Sequence, residues 1–402
     1  MKAFKTELDP NNVQTTMLRQ HSGAGRWAYN WGLERIKEAI EAGSKWPSAI
    51  DLHKQLNAIK GTDALPWAYE VSKCAFQESL RNLETSVKNW RSSKKGERKG
   101  EKMGFPKRKT KKKGLGSFRL TGTIKVFDGQ VQLPRIGLVR LKEHGYIPAG
   151  KYAQVTVSEQ AGHWFVSVVS DDTRDQPVLT TNVIGVDVGI KKLAVDSDGD
   201  SHANPKALAA KTKQLRRWQR RLSRRKKGGK NRTKARIKVA RLHKSVTDVR
   251  KDAHNKAARA IVDKHPAVIV IENLNTKGMF KNRKLSRALS DAALGNFGRT
   301  LTYMAEADGI EVVKAGRFFA SSKLCSCCGW KKEDLTLSDR TFVCDACGHT
   351  MDRDLNAAIN LKNTVSLTGI YARGDRVRPG LAQAVIGEAG ILSQMSTSGT
   401  FV

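Results

Sequence analysis

Three acidic residues stand where a carboxylate could hold a metal ion. Asp187 interrupts the apolar strand VIGVDVG, Glu272 ends the apolar strand VIVIE, and Asp354 lies near the start of the predicted helix DLNAAINLKN. A buried carboxylate is unfavourable unless a cation or a hydrogen-bond donor compensates its charge. Three carboxylates at one point would select Mg²⁺ or Mn²⁺, which prefer hard oxygen ligands. Two such ions about 4 Å apart can activate a water and stabilise the leaving oxygen of a phosphodiester.

Each acid by itself also fits an ordinary structural role. Asp187 is close to a turn at Gly189, Glu272 could simply end its strand, and Asp354 could cap a helix. Asp352 is a second acid at the same helix start, so it is an alternative cap or ligand. The order strand-Asp, strand-Glu, helix-Asp within one predicted α/β unit favours a shared metal site over three separate structural roles.

Four of the six cysteines form two Cys-x-x-Cys-Gly pairs, a pattern typical of zinc sites. Cys325 and Cys328 are separated from Cys344 and Cys347 by fifteen residues. Four thiolates complete a tetrahedral coordination shell, so the predicted zinc is structural rather than catalytic. The glycine after each second cysteine permits the backbone turn around the metal. Cys327 is an alternative partner for Cys325, although its spacing is less suitable.

The elements that must position these residues fall into two halves. Residues 1–10 read as a strand, and helical periodicity follows over 13–42 and 48–92. Short alternating segments over 117–170 predict an antiparallel β-barrel, so the helices are an insertion after its first strand. The second half is predicted to be α/β, with a hairpin at 183–200, helices at 206–227, 231–264, 285–307 and 354–363, and strands at 267–274 and 311–316.

The chain has a large excess of positive charge. It contains 73 Lys and Arg against 38 Asp and Glu, a formal net charge of +35. Self-repulsion on that scale predicts a polyanionic partner. Seventeen Lys or Arg and no acid lie between Lys211 and Lys244. A charge run is usually a solvated face, but dense charge around one apolar seam suits a nucleic-acid backbone. The predicted backbone contacts are Arg220, Arg221, Arg224 and Arg225, and the predicted seam is Val239, Leu242, Val246, Val249 and Ala253.

The N-terminus and the cysteines indicate where the protein acts. The first residues, MKAFKTELDP, lack the apolar core of a signal peptide, and no apolar run approaches the length of a membrane span. Paired cysteines of the metal-binding type are typical of a reducing compartment. We therefore expect a cytoplasmic protein without a membrane partner.

Several segments make the chain resemble TnpB, the nuclease encoded by bacterial insertion sequences and related to the type V CRISPR effectors. The matching segments run from residue 2 to about residue 363. They are KAFKTELDPNNVQ, RWAYNWGL, FQESLRNLETSVKNW, GFPKRK, IGVDVGIKKLAV, LSRRKKG, VIVIENLN, the two Cys-x-x-Cys pairs and DRDLNAAINL.

The resemblance implies a fold of several domains. It is α/β with an all-β part: a wedge β-barrel with an inserted helical recognition lobe, then a RuvC-type, ribonuclease H-like nuclease domain carrying a zinc ribbon. The implied bounds are 1–12 and 93–178 for the barrel, 13–92 for the lobe, 179–320 and 351–366 for the nuclease domain (basic helical pair 206–264), and 321–350 for the ribbon. Independently of the resemblance, the tail at 367–402 is predicted to be disordered, because it is rich in Gly, Ser and Ala with little periodicity.

The resemblance also implies an activity and its residues. The activity is cleavage of double-stranded DNA beside a short flanking motif, directed by a guide RNA from the end of the encoding transposon. By matching motif, the metal ligands are Asp187, Glu272 and Asp354. Lys73 and Gln77, in SKCAFQ, fall where the family reads the flanking motif, and Thr121 is expected to join them. The implied cofactors are Mg²⁺ or Mn²⁺, one structural zinc and the guide RNA, and we expect a monomer.

Two other functions remain compatible with the sequence. One is an RNA-guided DNA-binding regulator without nuclease activity, which the complete set of three acids disfavours. The other is a conventional DNA transposase, since such enzymes also use three acids on a similar fold. Cleavage of a plasmid in Mg²⁺ tests the first, and RNA of defined sequence in the purified protein would exclude the second.

Overall fold

The computed structural model describes residues 2–366 except 61, 63, 64, 112, 113, 115, 171–175 and 337. The chain divides into two compact units, Met1–Thr173 and Arg174–Val402, each with its own apolar core. The tail at 367–402 that was predicted to be disordered lies outside the described residues. Among the helices within the described range, none has the length and apolar content needed to cross a bilayer.

Six antiparallel strands close into a barrel in the first unit, which confirms the predicted β-barrel. The strands are β1 (Lys2–Asp9), β2 (Ser117–Phe127), β3 (Gln130–Leu133), β4 (Gly137–Leu141), β5 (Gly150–Gln160) and β6 (His163–Ser170). Their order is β1-β4-β3-β2-β5-β6. Closure depends on β1, which pairs with β6 (Lys2 opposite Ser170) and with β4. Alternate residues point inward, so Leu120 and Val157 are fully buried.

A helical insertion lies between β1 and β2, as the periodicity predicted, and it contains three helices. They are α1 (Asn12–Glu41), α2 (Ala49–Lys60) and α3 (Lys73–Lys94). The single helix expected over 48–92 is wrong, because the chain breaks between α2 and α3. Pro66 begins a short 3-10 helix there, and Ser72 then caps α3 by accepting the Cys74 N–H. The helices pack around their own core, with Leu52 and Phe76 fully buried.

The second unit is built on a five-stranded mixed sheet. The strands are β7 (Val183–Val188), β8 (Lys192–Asp196), β9 (Ser201–Ala203), β10 (Val268–Ile271) and β11 (Glu311–Lys314). Their order is β11-β10-β7-β8-β9. The chain runs antiparallel from β7 to β9, whereas β10 and β11 are parallel to β7. All four residues of β10 are buried because helices cover both faces.

Helices complete the second unit. They are α4 (Ala207–Arg224), α5 (Lys230–Val262), α6 (Thr276–Met279), α7 (Ser286–Ala292), α8 (Leu294–Ala307) and α9 (Arg353–Ser366). The single helix expected over 285–307 is wrong, since Ala293 has a φ of 50° and separates α7 from α8. The predicted seam of α5 fails at Val249, which is 44% exposed. One sheet face packs on α5 and α8, and the other packs on Leu361 of α9.

The cysteine-rich segment lies between β11 and α9. It contains a small hairpin of β12 (Thr341–Val343) and β13 (Thr350–Asp352). Its core is small, with Phe342 buried against Cys325 and Cys344. Such a small apolar core contributes little stability by itself, so the segment is the kind of module that a structural metal would stabilise.

Candidate functional site

Strand register brings Asp187 and Glu272 to the same edge of the sheet. β7 and β10 run parallel with Val186 opposite Ile271, so the next residue on each side is a predicted acid. Asp187 is still within β7, where it pairs with Val195 of β8, and Glu272 directly follows β10. Ligands of α/β sheets commonly bind at the carboxyl ends of parallel strands. The two acids therefore occupy an edge where a site is expected.

Helix α9 carries the third acid to this edge because it packs directly on the backbone of β7. A Cβ atom at Gly185 would overlap the carbonyl oxygen of Ala358 and the backbone nitrogen of Lys362, so only glycine permits this approach. Asp354 is one turn before Ala358, and Asp187 is two residues after Gly185. One helical turn (about 5.4 Å) and two strand residues (about 6.6 Å) have similar lengths. The helix start therefore places Asp354 near Asp187.

Burial opposes ionisation of the Asp187 and Glu272 carboxyl groups. Burial raises the pKa of Asp187 well above its usual range, and the charges of Glu272 and Asp354 raise it further. Burial also raises the pKa of Glu272, although a hydrogen bond from Ser321 acts in the opposite direction. Carboxylates grouped in a buried site are stabilised as anions when a cation neutralises them. The donor set therefore fits a hard divalent cation.

Asp352, the alternative ligand, is engaged elsewhere. Its Oδ1 accepts the backbone N–H of Asp354 at 2.9 Å and that of Leu355 at 3.2 Å, so Asp352 caps α9. Its Oδ2 is 3.3 Å from Nζ of Lys192. Burial opposes its ionisation, but the Leu355 N–H and Lys192 lower the pKa of Asp352. Within the described residues the Asp354 carboxylate has no such donors, so it is the better placed of the two acids to bind a metal.

The four predicted zinc ligands form a compact cluster. Their sulfur atoms all lie within 4.8 Å of one another, with 3.8 Å between Cys325 and Cys347 and 3.6 Å between Cys328 and Cys344. Tetrahedral ligands with bonds of about 2.3 Å are about 3.8 Å apart, so this spacing fits zinc. Cys327 is exposed and lies outside the cluster. In the described part of the chain, no other group of three Cys, His, Asp or Glu ligand atoms is so compact. The oxygen atoms of the three carboxylates are therefore spaced more widely than the four sulfur atoms.

Two similar backbone turns hold these thiols. In each turn the carbonyl of the first cysteine accepts the N–H of the glycine four residues later at 2.9 Å, from Gly329 to Cys325 and from Gly348 to Cys344. The two glycines have φ angles of 77° and 72°, in the left-handed region that favours glycine. This geometry gives a physical reason for the Cys-x-x-Cys-Gly repeat.

Two of the three residues expected to read a flanking DNA motif line one cavity of the first unit. Lys73 lies in the first turn of α3 and Thr121 in β2, and both line a cavity of about 920 Å³. The Thr121 hydroxyl is 3.0 Å from the Cys74 thiol, which joins the barrel to α3. Gln77 is one turn further along α3, half-buried and outside the lining of this cavity.

The four predicted backbone-contacting arginines differ in their surroundings. Arg220, Arg221 and Arg224 are exposed on α4. Arg225 is half-buried at the end of α4 and donates to the Asn231 carbonyl at 2.5 Å. The first three side chains are accessible to a phosphate, whereas the fourth holds the turn between α4 and α5.

Three family models match parts of the chain. The model described as "Probable transposase" matches residues 155–283, "Cas12f1-like, TNB domain" matches 295–361, and "Helix-turn-helix domain" matches 1–45. Residues 1–45 here contain β1 and the single 30-residue helix α1.

Full-length relatives decide the family. A protein of Streptomyces pristinaespiralis named "Putative RNA-guided DNA endonuclease" is 35% identical over 94% of this chain and 92% of its own length. The chain belongs to the TnpB family. A protein of Escherichia coli (strain K12) named "Putative RNA-guided DNA endonuclease InsQ" is 29% identical over 94% of this chain and 96% of its own length. A solved structure of a Cas12f1–sgRNA–target DNA complex aligns with 90% of this chain and 98% of that chain, at 17% identity and a TM-score of 0.35.

In this TnpB family member, sequence reasoning missed polar residues that support the acids. The buried Ser321 hydroxyl donates to Oε1 of Glu272 at 2.7 Å. Asn360 of α9 donates to the Ser321 carbonyl at 2.8 Å, and Asn356, one turn earlier, holds the same segment through the Leu324 carbonyl. Helix α9 therefore also supports Glu272. The available signal was the four-residue spacing of the asparagines, which places both amides on one helix face.

Proposed function

We propose that this protein is a transposon-encoded, RNA-guided endonuclease that cleaves double-stranded DNA beside a short flanking motif. The observation that carries the proposal is the convergence of Asp187, Glu272 and Asp354 from β7, the end of β10 and α9 at a buried edge. The names of the full-length relatives support RNA guidance and a DNA substrate. Metal-bound carboxylates at such an edge suit phosphodiester hydrolysis.

The three carboxylates would hold Mg²⁺ or Mn²⁺ in this proposal. When bound, two such ions would activate a water and stabilise the leaving oxygen of the phosphodiester. The protein's part is to position the ligands. Ser321 fixes one oxygen of Glu272, and the close contact of α9 with Gly185 fixes Asp354. Because Asp352 caps α9, it also sets where Asp354 lies.

The strand order supports a RuvC-type, ribonuclease H-like nuclease domain. Counting β7 as the first strand, the sheet has the order 3-2-1-4-5, with antiparallel strands 1 to 3 and parallel strands 4 and 5. We assign this domain to 179–320 and 351–366, including the basic pair at 206–264. Residues 321–350 would be its zinc ribbon, with Cys325, Cys328, Cys344 and Cys347 as ligands.

The first unit supports the remaining domain assignments. The barrel would be the wedge domain, at 1–12 and 93–178, and the inserted helices the recognition lobe, at 13–92. We assign flanking-motif contacts to Lys73, Gln77 and Thr121, and backbone contacts to the exposed arginines of α4. The net charge of +35 fits a guide RNA and a DNA duplex as partners of one monomer. The proposed site of action is the bacterial cytoplasm, where zinc-binding thiols stay reduced.

Cleavage by purified protein tests the proposal. With its copurified RNA and a plasmid carrying the matching target, the wild type should cut in Mg²⁺. Cleavage should fall by more than about 100-fold in each of the variants Asp187→Asn, Glu272→Gln and Asp354→Asn. Substituting a residue that only supports a metal ligand typically causes a smaller loss. Binding of the target duplex should persist, because guide pairing and backbone contacts do not use these acids.

Asp352→Asn is the matched control for these variants. Asparagine caps a helix about as well as aspartate, and the lost contact with Lys192 is worth only about 0–1 kcal/mol. This variant should therefore retain substantial cleavage. A dead Asp352→Asn with an active Asp354→Asn would reverse the assignment of the third ligand.

A conventional DNA transposase is the second candidate, favoured by the description of the family model that matches 155–283. A transposase would join or cut DNA ends without RNA. Target cleavage that survives complete removal of RNA by ribonuclease would support that candidate and reject RNA guidance. A wild-type protein that binds its target with RNA but never cuts would instead indicate a regulator without nuclease activity.

A further inference from the structure

Lys60 is a buried cation for which the described residues provide no compensating anion. It is the last residue of α2, and only 8% of its surface is exposed. Among the residues that the structure describes, no carboxylate pairs with its ammonium group. Its aromatic contact is Phe76, whose ring centroid is 4.6 Å from Nζ. A cation–π contact recovers only part of the hydration that a buried ammonium loses, so Lys60 is left in an unfavourable state.

The neighbours of Lys60 add positive charge. Lys60, Lys73 and Arg135 line the same cavity of about 920 Å³, and its lining includes no Asp or Glu. Burial lowers the pKa of Lys60, and the charge of Lys73 lowers it further. The imidazole of His53 also lines the cavity, and its buried Nε2 has no hydrogen-bond partner among the described residues. An anion in the cavity would therefore lie near several cationic or hydrogen-bonding side chains, and no Asp or Glu in the lining would compete with it.

The cavity also contains the positive end of a helix. Lys73 and Cys74, the first residues of α3, are part of its lining, and α3 is 22 residues long. The partial positive charge of a helix N-terminus favours a negative ligand. Thr121 and Thr123 add hydroxyl groups from the barrel side. The N-terminus of α3 and the two hydroxyl groups would have no role around a lysine that only filled the core.

We propose that Lys60 binds a backbone phosphate of nucleic acid in this cavity and positions the duplex without reading its bases. The inference rests on the proposed function: the ligand is the DNA duplex beside the target, and Lys73, Gln77 and Thr121 are the proposed base readers. A phosphodiester carries its negative charge whatever the sequence, so a buried lysine that binds it fixes the depth and orientation of the duplex. Lys60 is thus a positioning residue rather than a specificity residue.

Lys60→Met tests the proposal, because methionine keeps much of the apolar stem and removes the charge. Lys54→Met is the matched control, since Lys54 is an exposed residue on the same helix. Affinity of the RNA-loaded protein for a short target duplex is measured in EDTA over a range of salt concentrations. Lys60→Met should lower the slope of log affinity against log salt by about 0.9, as expected for one lost B-DNA phosphate contact. Lys54→Met should change the slope by less than half as much as Lys60→Met does.

Two further readouts separate this role from others. Without nucleic acid, Lys60→Met should unfold at the same temperature as the wild type or a higher one, because an uncompensated buried charge is gone. In a randomised flanking-motif library bound in EDTA, its preferred motif should equal that of the wild type. A lower unfolding temperature would show that Lys60 is structural, and a relaxed motif would show that it reads bases. Either result, or an unchanged salt slope, overturns the proposal.

The source of the phosphate is tested separately. The same salt titration with guide RNA alone should give equal slopes for Lys60→Met and the wild type. A slope change with RNA alone would assign the contact to the guide and overturn the assignment to DNA. None of these measurements requires cleavage, so a wild type that fails to cut would reject the nuclease proposal without deciding the role of Lys60.

Discussion

Two aspartates separated by one residue have different surroundings at the start of α9. Asp352 accepts two backbone N–H groups and contacts Lys192, so its charge is satisfied within the protein. Asp354 contributes to the repulsion that raises the pKa of Asp187. Composition alone could not separate the two acids, because both fit a helix N-terminus, and only the resemblance to the family selected Asp354. A difference of two residues in where the helix begins decides which carboxylate caps it.

Single substitutions in the cysteine cluster should distinguish the metal ligands from their neighbour. Cys344→Ser should reduce bound zinc from one ion per chain and lower the midpoint of thermal unfolding, because metal binding is linked to folding of this segment. Cys327→Ser should keep both values, since Cys327 is exposed and outside the cluster. Metal content is measured by atomic emission. Loss of zinc in Cys327→Ser would show that the assigned cysteine pair is wrong.

At the scale of helices and strands, the sequence predicts most elements and fewer of their contacts. Alternation and helical spacing predicted the barrel, the helical insertion and the apolar strands that hold Asp187 and Glu272. The breaks at Pro66 and Ala293 were missed, because apolar spacing continues across each one. The contact of α9 with Gly185 depends on packing between residues distant in sequence, so no local pattern could predict it.

Gly185→Ala should disrupt the contact between β7 and α9. The added methyl group overlaps backbone atoms of α9, which cannot move aside as a flexible side chain could. We expect a loss of at least about 1–3 kcal/mol in the free energy of unfolding and a strong loss of cleavage, because Asp354 moves with α9. Denaturant unfolding and plasmid cleavage measure the two effects.

Gly298→Ala is the control for this glycine substitution. Gly298 lies in α8, and a Cβ atom there meets nothing within 4 Å. The change should raise stability by about 0.4–1 kcal/mol by restricting the unfolded chain, with cleavage unchanged. If Gly185→Ala behaved in the same way, the proposed approach of α9 would be wrong.

His21 should make the attachment of α3 to α1 sensitive to acid. Its Nδ1 donates to the Met17 carbonyl at 2.7 Å, and its Nε2 accepts the Ser72 N–H at 3.0 Å, so only the neutral ring fits. Burial lowers the pKa of His21 in the folded protein below the ordinary value of 6.5. The stability that it contributes is therefore present above pH 6.5 and is lost as the pH falls through the lowered pKa.

His21→Phe should reduce this dependence on pH. The variant should be less stable near neutral pH by about 1–3 kcal/mol, because the buried Ser72 N–H loses its acceptor. It should lose less of its remaining stability than the wild type between about pH 7.5 and pH 5, in denaturant unfolding at each pH. His144→Gln, at an exposed site, should follow the wild type. Equal pH profiles for His21→Phe and the wild type would contradict the role given to His21.

At the scale of the whole molecule, positive charge exceeds what the chain's own acidic residues can neutralise. The net charge is +35, and no acid lies between Lys211 and Lys244. A nucleic-acid partner would offset this repulsion and release counterions, so binding should weaken steeply with salt. The total charge was readable from the sequence, but the engagement of Arg225 with the Asn231 carbonyl was not, because it depends on the turn between α4 and α5.

Replacing Arg220, Arg221 and Arg224 together with Gln should flatten the salt dependence of RNA binding. We expect the slope of log affinity against log salt to fall by roughly 2–3, at about 0.7–0.9 for each lost phosphate contact. Arg225→Gln should instead lower the unfolding temperature with a smaller change in slope, since this arginine bonds within the protein. An unchanged slope in the triple variant would mean that this face of α4 meets only solvent.

The position of α9 in the chain has a consequence for synthesis on the ribosome. β7 begins at Val183, but the helix that covers it and carries Asp354 begins only at Arg353. Translation adds about 5–20 residues per second, so many seconds pass between the synthesis of β7 and the synthesis of its partner helix. Throughout that interval the growing chain lacks the third acid of the proposed catalytic set. Under the proposed function, a nascent or prematurely released chain would thus be unable to cut DNA, including the gene whose transcript is being translated.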